Sequence, residues 1–350
     1  VDLNISVVEQ STGSVQFGAG LSSNEGVVFG VTVNQNNFLG TGNRVSAQLN
    51  TGKVNTTYAL SYTDPYFTPD GVSRGFDVYR RDVNTGSTDN VGTYKTSSYG
   101  GGVRFGIPLN ERDGVSFGLS ADLTDINLYA ESPIQYQNYC GNTTGCTSNS
   151  IALSAGWSHD SRDSIMYTNN GVYQRLSGEV TMPVLDLQYY KINYKHSWYK
   201  EIAKDLTLML NGELGYAKSY GDAKYPFFKN FYMGGVNSVR GYAIGTLGPK
   251  DETNTYYVGG NQSALASAEL FYPIPGIKDS KQFRLSTFVD SGYVWSSSQT
   301  PDPNDLRYSA GVGVSWFSPF GPLKLIYAKP LNASSSDITE TIQFQLGQQF

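Results

Sequence analysis

Charge is scarce in this 350-residue chain: Asp, Glu, Lys and Arg together make up 16% of it, against about 25% in soluble domains. Scarce charge would suit a helical membrane protein, but long apolar runs are missing too. No stretch approaches the roughly 18 apolar residues that a spanning helix needs, and mean hydropathy is −0.34. A helical bundle in lipid is therefore excluded. Basic residues are outnumbered, 25 Lys and Arg against 30 Asp and Glu, for a net charge of −5. Without a basic stripe, nucleic acid is not a partner. Histidine occurs only at His159 and His196, on different predicted strands, and no Gly-x-Ser-x-Gly elbow or His-Glu-x-x-His motif is present. The chain reads as non-enzymatic, and no cofactor, nucleotide or metal is implied. Cysteine is limited to Cys140 and Cys146 in a Gly/Asn/Thr-rich loop. That spacing suits a small disulfide in an oxidising compartment better than a metal site, which needs more ligands nearby.

What is abundant is glycine and aromatics, 39 Gly, 26 Tyr and 17 Phe, arranged with a period of two. Val115, Phe117, Leu119, Ala121 and Leu123 alternate with Ser116, Gly118, Ser120, Asp122 and Thr124. The same pattern runs through Leu206–Tyr216, Tyr308–Trp316 and the terminal Thr341–Phe350. Period two at this length means strands. Polar faces made of small residues fit a wide lumen, and Tyr66-Phe67, Tyr189-Tyr190, Trp198-Tyr199 and Trp316-Phe317 fall near strand ends, where an interfacial girdle sits. The pattern predicts an all-β fold, a transmembrane antiparallel β-barrel. About sixteen strands fit, an even number as bacterial barrels have. They begin near Ser14, Gly26, Arg44, Asn55, Ser73, Tyr94, Gly114, Ile151, Val172, Leu187, Asp205, Gly259, Lys281, Asp305, Leu323 and Thr341. Connections alternate short and long, so one end carries turns and the other loops. Residues 11–350 form the barrel in this reading, and residues 1–10 are the tail of a preceding domain. His196 alternates with Tyr194 and Trp198 as an interfacial histidine, and Asp160-Ser161-Arg162-Asp163 reads as a turn network.

The longest connection, near residues 218–258, holds Phe231-Tyr232-Met233-Gly234-Gly235 and Val239-Arg240-Gly241-Tyr242. Loops of that length without their own structure are uncommon unless functional. The run resembles the signature of the outer-membrane assembly superfamily. The likeness extends from about Ser11 to Phe350 through Asp64-Pro65-Tyr66-Phe67, Asp160-Ser161-Arg162-Asp163, Gly248-Pro249-Lys250, Ala268-Glu269, Phe288-Val289-Asp290-Ser291-Gly292 and Ser318-Pro319-Phe320-Gly321-Pro322. It is greatest toward the branch that inserts other barrels. The resemblance implies a long loop folded into the lumen, with Arg240 meeting Glu269 and Asp290 and with Phe288 beside them, flanked by Val239, Gly241 and Tyr242. Parity points the same way: with Leu270, Ala268 and Ala266 toward lipid, Glu269 faces the lumen, and with Leu285, Thr287 and Val289 toward lipid, so do Phe288 and Asp290. An alternative role for Arg240 is simply to pin a plug.

A second expectation concerns closure. The glycine-rich first strand, with Val15, Phe17, Gly18 and Gly20, should meet the last strand, with Phe344, Leu346, Gly347 and Phe350, in a seam held by fewer hydrogen bonds than other pairs. Glycine weakens strands, and an opened edge templates another strand. The resemblance implies an insertase in the outer membrane of a Gram-negative bacterium. Its partners would be unfolded outer-membrane β-barrel proteins, the lipoproteins of the β-barrel assembly machinery (BAM) and outer-membrane lipids, and the domain before residue 11 would be a periplasmic polypeptide-transport domain. A two-partner-type polypeptide secretion transporter and a passive porin are the competing readings.

Overall fold

Residues whose side chains alternate in polarity cannot bury both faces against one core, so the chain closes on itself. The computed structural model describes residues 11–22, 25–88, 90–165, 167–273, 283–318 and 321–347. Its strands are β1 (Gly13–Ser22), β2 (Gly26–Gln35), β3 (Arg44–Thr51), β4 (Asn55–Asp64), β5 (Ser73–Asn84), β6 (Lys95–Pro108), β7 (Asp113–Asn127), β8 (Gly145–Thr147), β9 (Ser150–Asp160), β10 (Gly171–Thr181), β11 (Tyr189–Ala203), β12 (Leu206–Ser219), β13 (Gln262–Pro273), β14 (Phe283–Trp295), β15 (Arg307–Ser318), β16 (Gly321–Pro330) and β17 (Ile342–Leu346). Neighbours pair antiparallel, β7 with β9 across the short β8, and β17 pairs with β1 to complete a sixteen-stranded barrel. Each strand start lies within a few residues of its expected place. No described helix is long and apolar enough to cross a membrane. Crossing is by strands, whose backbone groups pair laterally with those of their neighbours.

Parity sets the two faces. Phe117, Leu119 and Leu123 on β7, Leu153 on β9, Leu176 and Val180 on β10, and Leu210 and Leu214 on β12 are exposed outward. The alternate positions point into the lumen, where Gly, Ser and Thr predominate on β6, β7 and β9.

The loop end is capped. Helix α1 (Ile134–Cys140) rises from the connection between β7 and β9, and Cys140 and Cys146 are joined in a disulfide that ties its end to β8. Tyr136, fully buried, stacks on Phe227 of the long connection with ring centroids 3.9 Å apart, and Tyr94 meets both rings edge-on. Burial pushes the phenols of Tyr94 and Tyr136 well above their ordinary range. At the opposite end, Asp160 holds Arg162 at 2.9 and 2.8 Å, and Asp163 accepts the backbone N–H of Asn169 and Asn170. The predicted turn network is therefore formed. Residues 1–10, read as the tail of a preceding domain, lie outside the described residues.

Candidate functional site

The connection from residue 220 to residue 261 turns inward, and its core is packed rather than solvated. Met233, Val239, Tyr242 and Leu247 form one apolar cluster with the lumenal residues Leu265 of β13 and Val294 of β14. Burying Val239 on one side of Arg240 and Tyr242 on the other fixes the backbone, so the guanidinium has one direction to go. It reaches between two lumenal carboxylates. Arg240 Nε and Nη2 donate to Asp290 Oδ2 and Oδ1, both at 2.7 Å, Nη1 donates to Glu269 Oε2 at 2.9 Å, and the Arg240 backbone N–H adds a bond to Asp290 Oδ2 at 3.2 Å. Its face lies over the Phe288 ring, Cζ 3.3 Å from the centroid.

This fork-on-carboxylate geometry with a stacked ring is specific to arginine. Asp290 is fully buried, and Arg240 and Glu269 are nearly so. Ser267 adds a further donor, its hydroxyl bonding Asp290 Oδ1 at 2.6 Å. Such a cluster gives orientation more than net stability, since desolvating three charges offsets much of their attraction.

Gly241 has φ +89°, and a Cβ there would sit 3.1 Å from the Ala328 Cβ of β16. A left-handed backbone this close to the wall needs glycine. The loop then pairs with the residues leading into β17: Glu340 N–H donates to Gly241 O, and Ala243 N–H to Ile338 O, both at 2.9 Å. Gln343 of β17, with no exposed surface, accepts from Gly241 N–H at 3.2 Å and donates to Tyr242 O at 2.8 Å. Lys250 and Tyr257 both donate to Ser336 O. The lumenal loop is thus bonded to the last strand as well as to β13 and β14. Ser267 shares parity with Glu269 and was legible on that ground, but nothing in the alternating pattern distinguishes Gln343 from Gln345.

The seam gathers part of the expected set. Leu21 pairs with Leu346 and Ser22 with Gln345, whereas β1 pairs with β2 along its whole length from Gly13 to Ser22. Among the described residues, Val15, Phe17 and Gly18 have no partner on β17, and Phe344 pairs with Leu325 of β16. Phe350 lies outside the described residues. Gly20 and Gly347 do meet: a Cβ on Gly20 would stand 2.7 Å from Leu346 O, and one on Gly347, at φ +84°, would stand 2.9 Å from Ala19 O. These glycines permit a close approach of two backbones and not only a weak strand.

Several known proteins share this architecture. The chain is 40% identical, over an alignment of 389 residues, to the outer membrane protein assembly factor BamA of Neisseria meningitidis serogroup B, covering all of this chain and 48% of that protein. It is 24% identical to the mouse sorting and assembly machinery component 50 homolog, covering 100% of this chain and 75% of that one. The crystal structure of BamA from Haemophilus ducreyi lacking POTRA domains 1–3 superposes with a TM-score of 0.90 at 30% identity, covering 96% of this chain and 70% of that one. The chain therefore spans about half the length of the Neisseria relative. Residues 37–350 match the Omp85 superfamily domain, and the chain belongs to that superfamily.

Proposed function

We propose that this barrel is the membrane-spanning part of an outer-membrane protein assembly factor, and that it works through the seam between β1 and β17. The observation that carries the reading is the closure itself. Among the described residues, every other adjacent pair of barrel strands is zipped over five or more residues, while β1 and β17 share the Leu21–Leu346 and Ser22–Gln345 pairs. Separating them exposes the unpaired edge of β1, which accepts an incoming strand by the same backbone hydrogen bonds that build a sheet. Arg240, held by Glu269 and Asp290, keeps the lumenal loop in place while this happens, and Gln343 keeps the lead-in to β17 attached to it. No covalent chemistry is required, so the activity is not enzymatic. The apolar outward band supports a bilayer setting, and the names of its relatives support the outer membrane and a role in assembling outer-membrane proteins; unfolded barrel proteins and BAM lipoproteins are the partners this reading implies.

The test is reconstitution of the full-length protein with its lipoprotein partners in phospholipid vesicles, challenged with a urea-unfolded barrel substrate. Substrate should become heat-modifiable and protease-resistant faster than in empty vesicles or vesicles holding an unrelated sixteen-stranded porin. Equal rates in all three would overturn the proposal.

A further inference from the structure

The chain's two histidines are far apart in sequence but share one row of the barrel's outer face. Register places Asp113 of β7 opposite His159 of β9, His159 opposite Gln174 of β10, and Gln174 opposite His196 of β11. Each shares parity with an exposed apolar residue of its own strand, Phe117, Leu153, Leu176 and Ile192 respectively, so all four face outward. The row lies beside the short turn of residues 161–170. Toward the loop end it is bordered by Trp157, Leu176 and Tyr194, and toward the turn end by Val172, Trp198 and Leu210. A polar row between two apolar, tryptophan-bearing rows marks the level of a membrane interface.

The bonds within the row leave a defined set of unused atoms. Asp113 Oδ1 accepts from His159 Nδ1 at 3.0 Å, which leaves the lone pair of a neutral His159 on Nε2. Gln174 Nε2 donates to His196 Nδ1 at 2.9 Å and to Tyr194 Oη at 3.2 Å, so the His196 proton sits on Nε2. His159 Nε2, His196 Nε2–H and Gln174 Oε1 have no protein partner among the described residues. Asp113 has neither Lys nor Arg bonded to it there, its other side-chain bonds coming from the Asn110 amide at 3.0 Å and the Trp157 indole. Polar atoms left unpaired against hydrocarbon are costly. One end of the row offers a donor to an anion, and the other offers two acceptors and a carboxylate to a cation.

We infer that this row binds the headgroup of a zwitterionic phospholipid of the phosphoethanolamine class, phosphate oxygens accepting from His196 Nε2–H and the ammonium donating toward His159 Nε2 and Gln174 Oε1 beside Asp113. The two histidines are two strand spacings apart, roughly 10 Å between backbones, and their side chains shorten that span to the reach of one headgroup. The site rests on the reading of the barrel as a membrane protein and is independent of any assembly activity.

With histidine the sole 15N-labelled residue, the full-length protein in phosphatidylethanolamine vesicles yields imidazole signals to which this barrel contributes His159 and His196. Recoupling to lipid 31P should dephase the His196 ring nitrogen, assigned by its loss in His196→Phe. In native mass spectrometry the wild-type protein should retain phosphatidylethanolamine over phosphatidylglycerol by about fivefold, the worth of roughly one hydrogen bond. The His159→Phe/His196→Phe variant should remove that preference. Heat-modifiability in the same vesicles reports insertion separately. An inserted barrel with an undephased His196, or with equal retention of the two lipids, overturns the site alone; failure to insert overturns the membrane reading and the site with it.

Discussion

At the scale of residues, Arg240 is the position where sequence and geometry constrain each other most tightly. Its guanidinium spends two nitrogens on Asp290, a third on Glu269, and its face on Phe288. Removing it leaves two buried carboxylates without their cation. Arg240→Ala should therefore cost about 3–5 kcal/mol, read as a lowered midpoint of heat-modifiability, and should admit protease to the long connection. Arg240→Lys should fall between, because an ammonium satisfies neither the bidentate fork nor the ring. An unchanged midpoint and unchanged protection in the alanine variant would show that the packing of Val239 and Tyr242 suffices to hold the loop. Much of this cluster was legible. Strand parity alone turns Glu269, Phe288 and Asp290 toward the lumen, and a long loop carrying one arginine in a conspicuous motif supplies the cation. Gln343 was not legible, since its role depends on a loop a hundred residues away arriving at its side of the wall.

At the scale of elements, the cap over the loop end joins three connections through aromatic packing, with Tyr94, Tyr136 and Phe227 at its centre. Burial raises the phenol pKa of Tyr94 and Tyr136 above the ordinary value of 10.0. The sign follows from linkage: the folded state binds these protons more tightly, so their contribution to stability is fully present below about pH 10 and is lost as pH rises beyond it. Tyrosinate absorbance should show a subset of phenols that resist ionisation until the barrel unfolds. A single titration of all 26 tyrosines near the ordinary value would contradict the cap's packing. Strand positions were legible because a period of two is a local property of the chain. The cap and the short β8 were not, because neither carries a period and both depend on contacts between distant loops. The histidine row escaped for a related reason: parity says that His159 and His196 face outward, but their alignment needs the register of three strands.

At the scale of the whole molecule, the barrel is a ring with one join that is lightly zipped among the described residues. Fifteen of its sixteen joins connect strands close in sequence, whose register the intervening turns and loops help to fix. The sixteenth connects the two ends of the chain, and no turn sets its register. The sequence suggested glycine-weakened pairing along residues 14–21; among the described residues the pairs are Leu21–Leu346 and Ser22–Gln345, with Gly20 and Gly347 allowing the backbones to touch, and the rest of the expected partner strand, residues 348–350, lies outside the described residues. The lumenal loop is bonded to β13 and β14 through Arg240 and to β17 through Gln343, so it braces one side of the join and leaves β1 held by β2. The most direct measurement is a reversible lock on this join. Leu21→Cys and Leu346→Cys, introduced together in the full-length protein, place thiols on paired residues. Assembly of outer-membrane barrels should stop in cells when the cross-link forms and resume on reduction, with the barrel itself folded throughout. Quantitative cross-linking with undiminished assembly would contradict the account.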